Sequence, residues 1–165
     1  MLVKAIKTEH YQDYKVPCMF IACHSCSFKC DKEYGEKICQ NSPLANIKDF
    51  NVSIDYLIQN YISNPITKAV VFGGLEPFED ISNVLKFIKT LRTLNINDDI
   101  IIYTGYTKEE ISKCFPKELL LLTNYNNIII KYGRFIPNKT KHYDKILGVY
   151  LSSDNQYAEK LQKME

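Results

Sequence analysis

The sequence has almost no excess charge of either sign, no long apolar run and no internal repeat. Its 165 residues carry 21 lysines and arginines against 19 aspartates and glutamates, a net charge of +2 that gives no reason to expect nucleic-acid binding. No apolar stretch approaches the ~20 residues of a membrane-spanning helix. The N-terminus lacks the continuous apolar core of a secretory signal. We therefore expect a cytoplasmic protein that binds neither nucleic acid nor membrane.

Length and composition predict one globular domain over residues 1–165, because 45% of the residues are hydrophobic and 24% are charged. Apolar runs rich in β-formers predict buried strands at 16–22, 68–72, 99–103 and 127–131, with an opening strand in 1–9 and a short one near 146–151. Helical spacing predicts helices over 54–62 after the cap Ser53, over 81–91 after the cap Asp80, over 108–114, over 116–122 and from about Asn155 to the C-terminus.

Strands that alternate with helices at this spacing predict an α/β fold with a mainly parallel sheet. About four strand–helix units are too few for a closed eight-stranded barrel. The sequence therefore predicts a partial, open barrel or a doubly wound sheet, with the functional loops at the carboxyl ends of the strands.

Five of the six cysteines lie within 22 residues, at Cys18, Cys23, Cys26, Cys30 and Cys39. Thiolates are soft ligands that select zinc, copper(I) or iron–sulfur clusters. In a reducing compartment, clustered cysteines indicate metal binding rather than disulfides.

Two interpretations of the cysteines compete. A structural zinc site is one, although only Cys23 and Cys26 have the spacing of a zinc-ribbon pair and no second pair follows. The other concerns Cys26, Cys30 and Cys39, which lie in a polar loop over about 23–46. Three thiolates would hold three irons of a cubane and leave the fourth iron open for a small ligand. Cys18 on its strand and Cys114 at a helix end are interpreted as ordinary thiols.

The spacing Cys26-x3-Cys30, directly after the first strand of a parallel α/β chain, resembles the radical S-adenosylmethionine enzymes. Their usual motif is Cys-x3-Cys-x2-Cys, whereas eight residues separate Cys30 from Cys39 here. Cys39-Gln-Asn nevertheless resembles the third cysteine of the activating enzymes in that superfamily. The longer spacing leaves Cys23 as the alternative third ligand.

Gly73-Gly-Leu-Glu-Pro77, at the end of the next strand, resembles the superfamily's Gly-Gly-Glu-Pro motif with Leu75 inserted. The glycines of such a turn let the backbone approach a ligand closely. The resemblance implies that Gly73, Gly74 and Glu76 hold the methionine end of S-adenosylmethionine.

Three later segments resemble anaerobic ribonucleotide reductase activating proteins: Thr104-Gly-Tyr106, Gly133-Arg-Phe135 and Ser152-Ser-Asp-Asn-Gln156. Tyr132 stands where that family usually has aspartate. The resemblance spans roughly residues 14–157, and it implies that Thr104 and Gly105 line the same pocket.

This resemblance implies a partial, open radical-SAM barrel that binds a [4Fe–4S] cluster and S-adenosylmethionine. Reductive cleavage of S-adenosylmethionine would yield a 5′-deoxyadenosyl radical, which makes a glycyl radical on an anaerobic ribonucleoside-triphosphate reductase. A flavodoxin or ferredoxin would supply the electron. The alternatives are a radical enzyme with another peptide or protein target and a zinc-binding module without catalysis.

Overall fold

The structure is a computed structural model and describes residues 1–163. Apolar strands of five or six residues form its centre. The main sheet has seven strands in the order β3-β1-β2-β4-β5-β6-β9, and a separate hairpin pairs β7 with β8. The strands are β1 (Leu2–His10), β2 (Cys18–Cys23), β3 (Phe50–Asn51), β4 (Ala69–Gly74), β5 (Asp99–Tyr103), β6 (Ile128–Tyr132), β7 (His142–Asp144), β8 (Val149–Leu151) and β9 (Tyr157–Lys160). The helices are α1 (Lys29–Tyr34), α2 (Ser42–Ala45), α3 (Ile54–Ser63), α4 (Ile81–Thr93), α5 (Lys108–Cys114) and α6 (Pro116–Leu122), with a 3-10 turn over Pro77–Asp80.

The four central strands, β2, β4, β5 and β6, run parallel. β1 is antiparallel to β2 and β3, and β9 is antiparallel to β6. The near-continuous apolar sequences of the four parallel strands are typical of strands that are buried on both faces. The sheet is open, with β3 and β9 at its two edges. The predicted α/β class and the mainly parallel sheet are confirmed.

Helices cover one face of this sheet. Alternate strand residues such as Ile21, Phe72 and Ile102 join buried side chains of α3, α4, α5 and α6 in one apolar core. The predicted cap of α3 is present, since the Ser53 hydroxyl accepts a hydrogen bond from the Tyr56 backbone N–H at 3.1 Å. Period-2 alternation along each strand thus directs half of its side chains toward the helices.

The second face of the sheet is only partly covered. A smaller cluster joins its strand residues Val71 and Ile101 to Tyr14 and to Leu147 and Leu151 of the β7–β8 hairpin. Toward the carboxyl ends of the parallel strands this face remains open and borders a cavity.

The C-terminal prediction is wrong. The sequence predicted a helix from about Asn155, whereas residues 157–160 form β9, and residues 164–165 lie outside the described residues. Without β9, the outer edge of β6 would have unpaired backbone N–H and C=O groups. Pairing with β9 satisfies these groups. The Asp144 carboxylate also accepts a hydrogen bond from the Ala158 N–H at 2.9 Å, which fixes the register of β9 against the hairpin.

Two local predictions differ in detail. The cysteine segment predicted as a loop contains α1 and α2. Asp80 precedes α4 as expected, but its carboxylate accepts a hydrogen bond from the Asn83 side chain at 2.7 Å rather than from a helix N–H. Among the described residues, the helices are all too short or too polar to cross a membrane.

Candidate functional site

A cavity of about 520 Å³ lies at the carboxyl ends of the parallel strands, on the face without helices. One row of neighbouring strand residues forms its floor, and this row consists of Ala5, Ala22, Gly73, Tyr103 and Lys131. The first three side chains are small, which leaves room above the sheet. The register of the strands therefore creates the cavity, in the place where parallel α/β sheets commonly bind ligands.

Three thiols, those of Cys26, Cys30 and Cys39, line this cavity. Burial raises the pKa of Cys26 to about 11. Burial, and after it the neighbouring Cys39 thiol, raises the pKa of Cys30 to about 12. Cys26 and Cys30 are therefore protonated at neutral pH, and a metal that binds them has to displace their protons.

The first turn of α1 brings Cys30 back toward Cys26. Phe28 adopts the left-handed conformation with φ 51° immediately before the helix. Its backbone N–H donates to the Cys26 sulfur at 3.2 Å. The two thiols on either side of this sharp turn both line the cavity.

The eight residues between Cys30 and Cys39 form a closed loop. Helix α1 ends at Gly35, whose φ of 83° turns the chain back. One carboxylate oxygen of Asp31 then accepts hydrogen bonds from the Ile38 N–H at 2.9 Å and the Cys39 N–H at 2.8 Å. Asp31 thus holds Cys39 beside Cys30, despite a spacing much longer than the family motif that the sequence resembles.

The other three cysteines lie elsewhere. Cys23 is fully buried in the apolar core between the sheet and the helices. Cys18 is buried at the start of β2 and donates to the His10 carbonyl at 3.3 Å. Cys114 is exposed at the end of α5. None of these three lines the cavity.

The three cavity thiols do not converge on one point. Within residues 1–163, no three His, Cys, Asp or Glu side chains are close enough together to hold a single metal ion. In a cubane, however, each thiolate binds a different iron, so the ligands surround the cluster. Three soft donors spread around one cavity suit such a cluster in their chemistry.

The two glycines of the Gly-Gly turn allow close packing. A Cβ on Gly74, whose φ is +78°, would lie 3.0 Å from the Ala22 Cβ and 3.1 Å from a methyl group of Leu44. A Cβ on Gly73 would lie 3.2 Å from the Phe20 ring. Because Gly74 has no side chain, α2 can approach the sheet. Because Gly73 has none, the space above the floor of the cavity stays free.

The structure brings Glu76, Thr104 and Gly105 into one network. One Glu76 oxygen accepts from the Thr104 hydroxyl at 2.7 Å and from the Phe78 N–H at 3.1 Å. The other accepts from the Gly105 N–H at 2.9 Å. A carboxylate has about four acceptor positions, so roughly one is left on the oxygen that Gly105 contacts. Burial raises the pKa of Glu76 to about 7, although the three hydrogen bonds oppose this shift.

The backbone N–H of Glu76 also donates to the Ser25 carbonyl at 2.8 Å. This bond ties the Gly-Gly-Leu-Glu-Pro turn to the start of the cysteine loop. The side chain of the inserted Leu75 is buried inside the protein, with 5% of its surface exposed.

Arg134 forms an ion-pair network that the sequence analysis did not predict. Its guanidinium donates to both carboxylate oxygens of Glu110 at 2.9 and 2.6 Å, and it contacts Glu33 of α1 at 3.2 Å. Hydrogen bonding to Arg134 is the main reason that the pKa of Glu110 falls to about 2. The network connects the segment after β6 to α5 and to the cysteine loop. The Gly-Arg-Phe segment was the only signal for it in the sequence.

Comparison with protein-family models shows that residues 16–157 match a model described as a 4Fe-4S single cluster domain. No curated protein and no solved structure matches the sequence. The matched range contains all the cavity-lining cysteines and the Glu76 network.

Removal of the Asp31 carboxylate should weaken cluster binding. In Asp31→Ala the Ile38 and Cys39 amides lose their acceptor, so we expect their hydrogen exchange in the apo protein to accelerate. We also expect roughly tenfold weaker cluster retention, a typical effect of losing a group that orients a metal ligand. Amide exchange and iron content after anaerobic reconstitution measure the two effects. Asp31→Asn keeps the acceptor oxygen and is the matched control, and unchanged exchange in Asp31→Ala would refute the role of this carboxylate.

Glu76 should make the apo protein less stable as the pH rises. Its pKa lies near 7 in the folded chain and near 4.5 when unfolded, so folding takes up a proton between these values. The contribution to the free energy of unfolding is complete below about pH 4.5 and falls by roughly 3 kcal/mol as the pH rises through 7. Chemical denaturation from about pH 5 to about pH 8 should show this slope in wild type and in Glu36→Gln, which alters an exposed carboxylate. A slope that persists in Glu76→Gln would rule Glu76 out as its source.

Proposed function

The chain belongs to the family of 4Fe-4S single cluster domains, and on this premise we propose that it is a radical S-adenosylmethionine enzyme. Its substrate protein in this proposal is an anaerobic ribonucleoside-triphosphate reductase, on which it generates a glycyl radical. The sheet then corresponds to a partial, open radical-SAM barrel. The proposal includes a cytoplasmic location and a flavodoxin or ferredoxin as electron donor.

The observation that carries this proposal is the arrangement of Cys26, Cys30 and Cys39 around one cavity at the open ends of the parallel strands. These three thiolates are the proposed ligands of a [4Fe–4S] cluster. Cys23 is a poor third ligand, because it lies on the helix-covered face and its removal from the core would cost burial energy. Three protein ligands leave one iron for a small molecule.

When bound and reduced, such a cluster supplies the electron that cleaves S-adenosylmethionine into methionine and a 5′-deoxyadenosyl radical. The protein's own residues bind and orient the substrate. Glu76 would accept a hydrogen bond from the methionine ammonium with the acceptor position that Thr104 and Gly105 leave free. Gly73 and Gly74 would keep side chains out of the space above the floor of the cavity.

The choice of an anaerobic reductase as the target is supported by where the family-like segments lie. Thr104-Gly-Tyr106, Gly133-Arg-Phe135 and Ser152–Gln156 are distant in sequence, yet residues of all three line the same cavity. Hydrogen bonds link two of the segments, since the Gln156 side chain donates to the Gly133 carbonyl at 3.2 Å. This convergence is expected if the segments serve one reaction.

Substitution of the individual cysteines tests the ligand assignment. Cys26→Ala, Cys30→Ala and Cys39→Ala should each lose most of the bound iron and the broad absorption near ~400 nm that arises from thiolate–iron charge transfer. Cys23→Ala and Cys114→Ala should keep both, because neither thiol lines the cavity. Iron and sulfide analysis after anaerobic reconstitution gives the answer. Full iron content in Cys39→Ala combined with its loss in Cys23→Ala would reverse the assignment of the third ligand.

The reaction itself is tested with reduced, reconstituted protein. We expect release of 5′-deoxyadenosine and methionine from S-adenosylmethionine, and a glycyl radical signal in electron spin resonance when an anaerobic ribonucleoside-triphosphate reductase is added. Cleavage without a glycyl signal would favour another peptide or protein target. One bound zinc, no iron and unfolding on chelation would favour a non-catalytic zinc module.

A further inference from the structure

Lys131 is a buried cation without an anionic partner among residues 1–163. Only 6% of its surface is exposed, and it lines the cavity at the end of β6. Its ammonium donates to the Gly133 carbonyl at 2.8 Å and lies 5.7 Å from the centre of the Tyr103 ring. It makes no ion pair with any residue in the range 1–163. An ammonium has three N–H donors, so two are left for a ligand.

The acids that face Lys131 are engaged elsewhere. Asp13 accepts a hydrogen bond from the His10 ring at 2.6 Å, and Glu76 accepts three hydrogen bonds in the network described above. Burial lowers the pKa of Lys131 to about 8, while both acids oppose this shift, so most of the amine stays charged at neutral pH. An unpaired buried charge is costly, and an anionic group from a bound molecule would offset that cost.

An aromatic hairpin borders the mouth of the same cavity. Tyr150 of β8 lines the cavity and is 73% exposed. It packs edge-to-face against Tyr143 of β7, which is 52% exposed, with ring centres 5.4 Å apart. Exposed tyrosines are enriched in surfaces that bind other proteins.

Two lysines lie at the turn of this hairpin, and the acidic residue that precedes the turn, Asp144, is occupied. Lys15 contacts the hairpin turn at Gly148, and Lys145 lies in that turn; both are exposed. Asp144 is buried and accepts backbone hydrogen bonds from Ile146 and Leu147 at 2.9 Å. The surface formed by Lys15, Tyr143, Lys145 and Tyr150, which we call the hairpin face, therefore has a net positive charge.

We propose that the hairpin face docks an acidic, extended segment of the target polypeptide, and that one carboxylate of this segment enters the cavity to pair with Lys131. This inference rests on the proposed function only for the identity of the target, because binding can be measured without catalysis. The carboxylate in this proposal belongs to an acidic side chain of the segment.

A polypeptide suits the site better than a nucleic acid does. The chain's net charge is only +2, and a phosphate backbone needs several cations along its path. The hairpin face has two exposed lysines, and one buried cation, Lys131, lies within the adjacent cavity. One cation inside the cavity matches one carboxylate on a flexible chain.

Fluorescence anisotropy with the reconstituted full-length protein tests this proposal. The probes are a labelled, C-terminally amidated peptide of alternating glutamate and glycine, the same peptide with glutamine for glutamate, and the glutamine peptide with a free C-terminal carboxylate. We expect the glutamate peptide to bind at least tenfold more tightly than the amidated glutamine peptide, a difference of about 1.4 kcal/mol. Recovery of binding by the free C-terminal carboxylate alone would assign the site to a chain terminus and refute the acidic segment. Equal binding of all three peptides would overturn the proposal.

Amino-acid substitutions test which residues bind the glutamate peptide. Lys131→Met keeps most of the unbranched side chain and removes the charge, and we expect it to weaken glutamate-peptide binding roughly tenfold. Lys145→Glu should weaken it roughly threefold, whereas Lys89→Glu, on the exposed side of α4, should have no effect. Equal losses in Lys145→Glu and Lys89→Glu would indicate non-specific attraction and refute the hairpin face. This pair still decides the question if Lys131→Met does not fold.

Two further outcomes would contradict the proposal. Weaker binding of S-adenosylmethionine to Lys131→Met, with peptide binding unchanged, would assign the lysine to the cofactor. Tighter binding of a labelled single-stranded oligonucleotide than of the glutamate peptide would assign the face to nucleic acid. Loss of reductase activation with intact peptide binding would instead count against the proposed function alone.

Discussion

The carboxylate of Asp31 closes the loop between Cys30 and Cys39 and holds these two cysteines near each other. Two backbone N–H groups at Ile38 and Cys39 point at one of its oxygens, and this closes a loop that would otherwise be free to open. A long loop costs conformational entropy to order, and charge-assisted hydrogen bonds offset that cost. Because of Asp31, the third thiol reaches the cavity although the spacing between the cysteines is unusually long.

The open sheet provides the space that this loop covers. Ala5, Ala22 and Gly73 occupy one row of neighbouring strands and leave a depression, whereas larger side chains lie on the helix-covered face. The Glu76 network ties the ends of β4 and β5 together, and its backbone bond to Ser25 connects them to the cysteine loop. The cysteines and the turn that faces them are therefore parts of one hydrogen-bonded assembly.

Charges within the site fall into two groups. Arg134 and Glu110 neutralise each other and hold α1 and α5 against the end of β6. Lys131 and Glu76 are buried without an ion pair between them, so burial moves the pKa of each toward neutrality. The paired charges stabilise the frame of the site, and the unpaired ones are available to ligands.

The sequence by itself determined the parallel strands, most of the helices and the candidate thiols, because these depend on local periodicity and on the softness of sulfur. The bounds of β5, α5 and α6 match their predicted ranges. Only the tertiary structure decided that residues 157–160 pair with β6, that Cys23 faces the core and that Lys131 faces the cavity. These facts depend on strand register and on pairing between distant segments, and a one-residue change of register would reverse which face each side chain occupies.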